Sequence, residues 1–129
     1  MSDKPGTGIS EAESRVMEVL WHARSEVPAE KVIDALAGTQ QWQAATVKTL
    51  LNRLLKKEAI AARKDGRRFL YHALLGREEW LARESSSMID RLFGGRIAPL
   101  VAHFGSQRKL SPSDIQELRK LIDELDDDQ

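Results

Sequence analysis

Residues 44–73 read AATVKTLLNRLLKKEAIAARKDGRRFLYHA, and two different apolar periodicities follow each other in them. In the first half the apolar residues recur at i, i+3, i+4 and i+7, which predicts a helix from about Ala44 to Lys57. These apolar residues are Val47, Leu50, Leu51 and Leu54. In the second half Asp65-Gly66 separates two extended runs, a strong hairpin signal because the tight turn needs positive φ. The stretch therefore predicts a helix followed directly by a β-hairpin.

Two further helices are predicted before this stretch. Ser10 and Glu13 form a capping box at the start of the first helix, which we expect to end near Ala23. Pro28 suits the first turn of the second helix, and Gly38 is placed to end that helix in a left-handed conformation. The predicted buried residues of the two helices are Val16, Met17, Leu20, Trp21, Val32, Ile33 and Leu36. Three helices followed by a hairpin are the arrangement of a winged helix-turn-helix.

The carboxy-terminal part predicts amphipathic helices whose apolar stripes are too long to be buried within them. Gly94-Gly95 breaks this region, Pro99 fits only the first turn of a helix, and Ser111 begins the last helix. A two-fold dimer would bury the stripes. The residues predicted to form that dimer interface are Leu92, Phe93, Ile97, Leu100, Val101, Phe104, Ile115, Leu118 and Ile122.

The fold class is therefore mainly α with a small β-hairpin wing. We predict three segments: a disordered lead over residues 1–8, a winged-helix DNA-binding domain over 9–75 and a helical dimerisation domain over 76–129. No apolar run approaches the length of a membrane span, and the amino terminus does not look like a signal peptide.

Charge is distributed unevenly although the formal net charge is zero. Residues 1–75 hold twelve Lys/Arg and nine Asp/Glu, whereas residues 76–129 hold eight and eleven. The segment from Lys48 to Arg68 holds eight Lys/Arg against Glu58 and Asp65. Such a local patch can bind phosphates in a neutral chain, because salt screens charges beyond roughly 10 Å. A solvated charged face is the other interpretation of the run taken alone.

The third helix and the hairpin together suit double-stranded DNA. A helix with its side chains has about the width of the major groove, where each base pair presents its own pattern of donors and acceptors. Contacts from the hairpin to phosphates would fix the register. The predicted DNA-binding residues are Thr46, Lys48, Thr49, Asn52, Arg53 and Lys56 in the helix and Arg63, Lys64, Arg67 and Arg68 in the hairpin.

Other classes of function find little support. His22, His72 and His103 have no helical ligand spacing and stand beside no nucleophile motif, so we predict no catalytic residue, metal site or cofactor. The chain contains no cysteine, which excludes disulfides and thiolate sites and fits a cytoplasmic location. A protein–protein interaction module on a winged-helix scaffold, with no specific DNA role, is the alternative function.

From Ile9 to Leu125 the chain resembles the penicillinase and methicillin-resistance repressor family, which is grouped with copper-responsive repressors. Each motif is weak alone, but together, in order and at the right spacing, they are specific. The motifs are Ile9-Ser10-x-Ala12-Glu13, Val16-Met17, Leu20-Trp21, Trp42, Thr46-Val47-Lys48-Thr49-Leu50-Leu51-x-Arg53-Leu54-x-Lys56-Lys57, Phe69-x-Tyr71, Gly94-Gly95, Leu100-Val101-x-x-Phe104, and Leu110-Ser111 before Ile115-x-Glu117-Leu118.

The resemblance implies a homodimer that binds an operator dyad and blocks transcription until an upstream sensor signal relieves it. That signal would be of the β-lactam or cell-wall type, or another stress. It assigns reading roles to Thr46, Lys48, Thr49 and Arg53 and places Lys64 and Arg67 in the wing. A sensor-linked protease is a further implied partner, with the cleaved step at His103-Phe104.

Four departures from the family pattern change these expectations. Family members are cut between asparagine and phenylalanine, and His103 stands in the place of that asparagine. Ala44 and Ala45 replace residues that are often proline or serine and a basic residue, so we expect a different base preference. Glu58 replaces a glycine, so we expect a less sharply turned junction after the third helix. The copper-binding cysteines of the copper-responsive members are absent.

Overall fold

The structure, a computed structural model, describes residues 8–128. Their contacts divide the chain into two compact units, with the division between Ala82 and Arg83. Of the predicted disordered lead only Gly8 lies within the described residues. The functional assignment of residues 9–75 and 76–129 stays a prediction.

The first unit confirms the predicted order of three helices and a hairpin. The helices and strands are α1 (Glu11–His22), β1 (Val27–Pro28), α2 (Ala29–Thr39), α3 (Ala44–Lys56), β2 (Ile60–Asp65), β3 (Arg68–Ala73) and the first part of α4 (Arg77–Phe93). The three strands form an antiparallel sheet in the order β1-β3-β2. We call the β2–β3 hairpin the wing.

One capping box starts α1, as the sequence predicts. The Ser10 hydroxyl accepts from the Glu13 amide at 3.0 Å, and Oε1 of Glu13 accepts from the Ser10 amide at 2.8 Å. The helix ends at His22 with Ala23 as its cap. This hydrogen bond to the Ser10 amide holds the Glu13 carboxylate at the start of α1, where Glu13 is buried in the first unit.

Two predictions about α2 are wrong. Pro28 lies in β1 and caps α2 instead of occupying its first turn. Proline is acceptable there because β1 is an edge strand, where the missing N–H does not cost a hydrogen bond of the sheet. Gly38 lies inside the helix, which continues to Thr39, and the left-handed residue that follows is Gln41 with φ 60°.

The core of the first unit lies between the three helices and the sheet. Val47, Leu50, Leu51 and Leu54 are all buried, so the predicted apolar stripe of α3 is confirmed. They pack with buried residues of α1, α2 and β2, and Trp42 packs against the same cluster. Because this stripe faces inward, the polar side of α3 faces solvent.

The junction after α3 is turned as sharply as a glycine would turn it, so the expectation for Glu58 is wrong. Glu58 has φ 60°, and its amide donates to the Leu55 carbonyl at 3.1 Å. The amide of Ala59 donates to the Leu54 carbonyl at 3.0 Å, which completes a Schellman motif. Tertiary packing of the buried residues on either side, Leu54 and Ala59, holds the glutamate in the left-handed region.

Replacing Glu58 with glycine is expected to raise the free energy of unfolding by about 0.5–1 kcal/mol, because a Cβ is unfavourable at this φ while glycine loses more backbone entropy on folding. Guanidinium denaturation of the full chain measures the change. Glu58→Ala is the control, since it removes the same carboxylate but keeps the Cβ and should stabilise little. Equal stabilisation by both variants would show that the charge matters and the backbone does not.

The second unit contains the rest of α4, α5 (Ile97–Ser106) and α6 (Pro112–Asp127). Gly94 and Gly95 have φ 58° and 81°, so the predicted helix break is confirmed. Pro99 lies in the first turn of α5, and Ser111 caps α6 in a capping box with Asp114. Among residues 83–128 no side chain is buried.

Within residues 8–128 the structure contains no helix that is both long enough and apolar enough to cross a membrane.

Candidate nucleic-acid interface

Six of the predicted DNA-binding residues share the solvent-facing side of α3. All six are exposed, while the opposite side of the helix is buried. They are Thr46, Lys48, Thr49, Asn52, Arg53 and Lys56. The hydroxyl of Thr49 donates to the Ala45 carbonyl at 3.0 Å, so its hydrogen is used within the helix. The face therefore offers cations, an amide and threonine methyl groups.

The other four predicted residues lie at the tip of the wing. Arg63, Lys64, Arg67 and Arg68 are exposed around the turn at Gly66, whose φ is 66°. In this hairpin Asp65 pairs with Arg68 and Lys64 with Phe69. The positive φ at the turn confirms the role predicted for the glycine.

A groove of about 450 Å³ lies between α3 and the wing, and we call it the α3–wing groove. Its lining residues come from α3, from the wing and, on the remaining side, from α2. The α3 and wing residues that line it are Lys48, Asn52, Arg67, Arg68, Phe69 and Tyr71. The structure thus brings members of both predicted groups to one concave surface.

Not all of the wing arginines are equally available. Arg63 donates from Nε and Nη2 to the Glu26 carboxylate at 3.0 and 2.8 Å. These hydrogen bonds hold the pKa of Glu26 below its ordinary value and raise the pKa of Arg63. The carboxylate of Glu26 also lies 3.7 Å from Nδ1 of His72. Arg63 therefore ties β2 to the residue that precedes β1, and a phosphate would have to compete with Glu26 for it.

Arg68 has weaker neighbours than Arg63. Its guanidinium lies 3.7 Å from the carboxylates of both Glu30 and Asp65. Among the residues that the structure describes, five of the predicted DNA-binding cations form no ion pair: Lys48, Arg53, Lys56, Lys64 and Arg67. These five cations are accordingly the ones most open to an anionic partner.

Lys57 is basic but does not belong to this interface. Its Nζ donates to Oε1 of Glu13 at 2.5 Å and to the Gly8 carbonyl at 2.8 Å. Burial opposes ionisation of Glu13, but hydrogen bonds from Lys57 and Ser10 outweigh it and lower the pKa. Lys57 thereby ties the end of α3 to the start of α1, and it is committed to the fold.

Three residues at or beside the interface were not predicted from the sequence. Glu26 and Glu30 were missed because their partners lie far along the chain. Phe69 was assigned to a strand face but not to the DNA-binding residues. The alternation of Phe69 with Tyr71 in the sequence could have indicated that Phe69 lies at the interface, since the register puts both residues on the same face of β3.

In the described part of the chain there is no cluster of three or more His, Asp or Glu side chains that could hold a metal ion.

Comparison with known proteins gives consistent matches over most of the chain. The penicillinase repressor family profile matches residues 9–124. The chain is 34% identical over 116 residues to the penicillinase repressor of Bacillus licheniformis, which covers 90% of each protein. It is 31% identical over 114 residues to the methicillin resistance regulatory protein MecI of Staphylococcus aureus strain N315, covering 88% of this chain and 92% of that protein.

Among solved structures, the DNA binding domain of the repressor BlaI is similar at a TM-score of 0.53 and 37% sequence identity. The match covers 61% of this chain and 93% of that domain. It shows that the first unit has the fold of this DNA binding domain, with an exposed basic α3 face and wing. The chain belongs to the penicillinase repressor family, and it is a winged-helix DNA-binding transcriptional repressor.

Proposed function

We propose that the protein acts as a homodimer on an operator dyad, with α3 in the major groove and the wing on the flanking backbone. The observation that carries this proposal is the division of α3 into a buried apolar side and an exposed side with free cations. The buried side holds the helix rigidly, and rigid placement is what base reading requires. Arg53 has the chemistry to donate to guanine and Asn52 the chemistry to pair with adenine, and the ammonium group of Lys48 can donate to guanine or to a phosphate.

Dimerisation is supported by the state of the second unit. Its helices have exposed apolar side chains on α4, α5 and α6, and none of its described side chains is buried. A unit without a buried core needs a partner surface, and a two-fold dimer supplies the same stripes a second time. The predicted interface residues that are exposed are Leu92, Ile97, Phe104, Ile115 and Ile122.

The mode of induction stays a prediction. The His103–Phe104 step lies within α5, both residues are exposed, and their rings are 5.4 Å apart. Proteases act on extended backbone, so cutting here would require α5 to open first. A sensor-linked protease and a β-lactam, cell-wall or other stress signal are the partner and inducer that the family resemblance implies.

The proposal also covers where the protein acts and whether it catalyses a reaction. A repressor acts where the chromosome is, which supports a cytoplasmic location. Its family consists of repressors, which supports a role without catalysis or cofactor. The alternative of a protein–protein module on the same scaffold would leave the free cations of α3 without a role.

Arg53→Ala is expected to weaken operator binding about tenfold or more, because one bidentate base contact contributes roughly 1–3 kcal/mol. Fluorescence anisotropy at two salt concentrations measures it, with a duplex from upstream of the protein's own gene and a scrambled duplex. The loss should be larger on the native duplex than on the scrambled one.

Arg15→Ala is the matched control, since it removes one exposed arginine of α1 outside the basic segment. It should leave binding nearly unchanged. Two outcomes would favour the protein–protein interaction module over the proposed action on an operator dyad. The first is that Arg53→Ala binds as Arg15→Ala does, and the second is that the unsubstituted protein binds both duplexes equally and weakly.

A further inference from the structure

Phe69 is an apolar side chain in the middle of the proposed DNA interface. It is 50% exposed, although a phenylalanine normally gains free energy from burial. The hairpin register pairs it with Lys64, and it follows Arg67 and Arg68 at the wing tip. An exposed aromatic ring among cations indicates a surface that is covered when a partner binds.

The charges around Phe69 define what can cover it. Lys48 lines the α3 side of the α3–wing groove, and Arg67 and Arg68 line the wing side. Glu30 is the carboxylate of the groove, and it lies 3.7 Å from Arg68, which offsets its charge. The groove is therefore cationic on its α3 side and on its wing side, and the wing also contributes the aromatic side chains of Phe69 and Tyr71.

The sugar–phosphate backbone of DNA also places an apolar group among charged groups. Each deoxyribose presents an apolar face and is flanked by two phosphates, whereas a base edge is polar except for the methyl group of thymine. A helix in the major groove leaves the adjacent backbone strand next to any element beside that helix. The wing is such an element, and the groove lies between it and α3.

We propose that the α3–wing groove seats one backbone strand of the operator, with Phe69 packed against a deoxyribose and with Lys48 and Arg67 on the flanking phosphates. This inference rests on the proposed placement of α3 in the major groove. Phe69 is then a positioning contact that carries no sequence information. It holds the register in which α3 meets the bases.

The test uses anisotropy with the full chain and three duplexes: the region upstream of its own gene, the same region with deoxyuridine in place of thymine, and a scrambled sequence. Phe69→Ala should weaken binding to all three by the same factor, roughly five- to tenfold for the loss of half a ring's apolar contact. The salt dependence should stay unchanged, because no charge is removed.

Matched variants separate this contact from other effects. Arg67→Ala should lower the slope of log affinity against log salt by about 0.9, as expected for one phosphate contact. Leu74→Ala removes an exposed apolar residue beyond the groove and should change nothing. Phe69→Gln keeps the side-chain length without the apolar ring and should reproduce the loss, which guards against a folding defect in the alanine variant. Thermal melting by circular dichroism identifies any such defect.

The outcomes are distinct. A loss confined to the thymine duplex would overturn the inference, since Phe69 would then read a methyl group. Unchanged affinity in folded Phe69→Ala and Phe69→Gln, with Arg53→Ala still impaired, would also overturn it and leave the repressor function intact. Failure of the unsubstituted protein to prefer its native duplex would count against the proposed function itself.

Discussion

Replacing Lys57 with methionine is expected to lower the free energy of unfolding by about 3 kcal/mol at pH 7. Glu13 is only 1% exposed, and Lys57 is its one charged partner among the described residues. Without that partner the buried carboxylate must either stay charged and unpaired or take up a proton. Proton uptake at pH 7 by a group of ordinary pKa 4.5 costs about 1.4 kcal/mol for each pH unit, and this cost alone amounts to about 3 kcal/mol.

The sign of the pH dependence follows from the same residues. In the unsubstituted protein the pKa of Glu13 is lowered, because hydrogen bonds from Lys57 and Ser10 outweigh the effect of burial. Its contribution to stability is therefore present above the unfolded pKa and is lost as the pH falls through the folded pKa. In Lys57→Met the burial is unopposed by the lysine, the pKa is raised, and the destabilisation should shrink to below about 1 kcal/mol at pH 5.

Guanidinium denaturation at pH 7 and pH 5 measures both effects. Lys56→Met is the control, because Lys56 is the exposed neighbour and forms no ion pair with the described residues. Adding Glu13→Gln to Lys57→Met should remove the pH dependence. A loss in Lys57→Met that is the same at both pH values would mean that the lysine acts through packing alone.

In the proposed homodimer, Ile122→Asp is expected to separate the two protomers and to weaken binding to the full operator at least 100-fold. Ile122 is 61% exposed on α6, next to exposed Leu121 and Leu125. A carboxylate in the centre of an apolar interface would be buried without a partner. A tethered second half-site raises avidity by about 10²–10⁴, and this gain is lost with the dimer.

Sedimentation equilibrium and anisotropy with whole-operator and half-site duplexes measure the two effects separately. Half-site binding should be unchanged, because the α3 face lies in the first unit. Gln116→Asp introduces the same carboxylate on the polar side of α6 and should leave the dimer intact. A dimeric Ile122→Asp protein would place the interface on other helices than α6.

Local patterns were sufficient wherever the interactions themselves are local. The capping boxes at Ser10 and Ser111 join residues three positions apart, and the sequence predicted where α1 and α6 begin. The turn at Gly66 and the break at Gly94 and Gly95 were predicted for the same reason, because a positive φ at glycine needs no distant contact.

The predictions failed where packing overrides local preference. Gly38 stays helical, and the left-handed residues that follow α2 and α3 are Gln41 and Glu58, although neither is a glycine. Tertiary contacts around these positions outweigh the local penalty of roughly 1–2 kcal/mol. β1 was missed because two residues carry no periodicity, and only pairing with β3 makes them a strand.

Sequence alone determined the helices and the wing of this repressor, and it predicted the polar side of α3 to be the DNA-reading face. These follow from spacing, since residues three or four apart on a helix share a face and alternate residues share a strand face. Tertiary structure decided which cations are free. Lys57 is committed to Glu13, Arg63 to Glu26, and Lys48 and Arg67 face a common groove with Phe69. Those pairings join residues dozens of positions apart, and a charge is paired or free only through the neighbours that the fold brings to it.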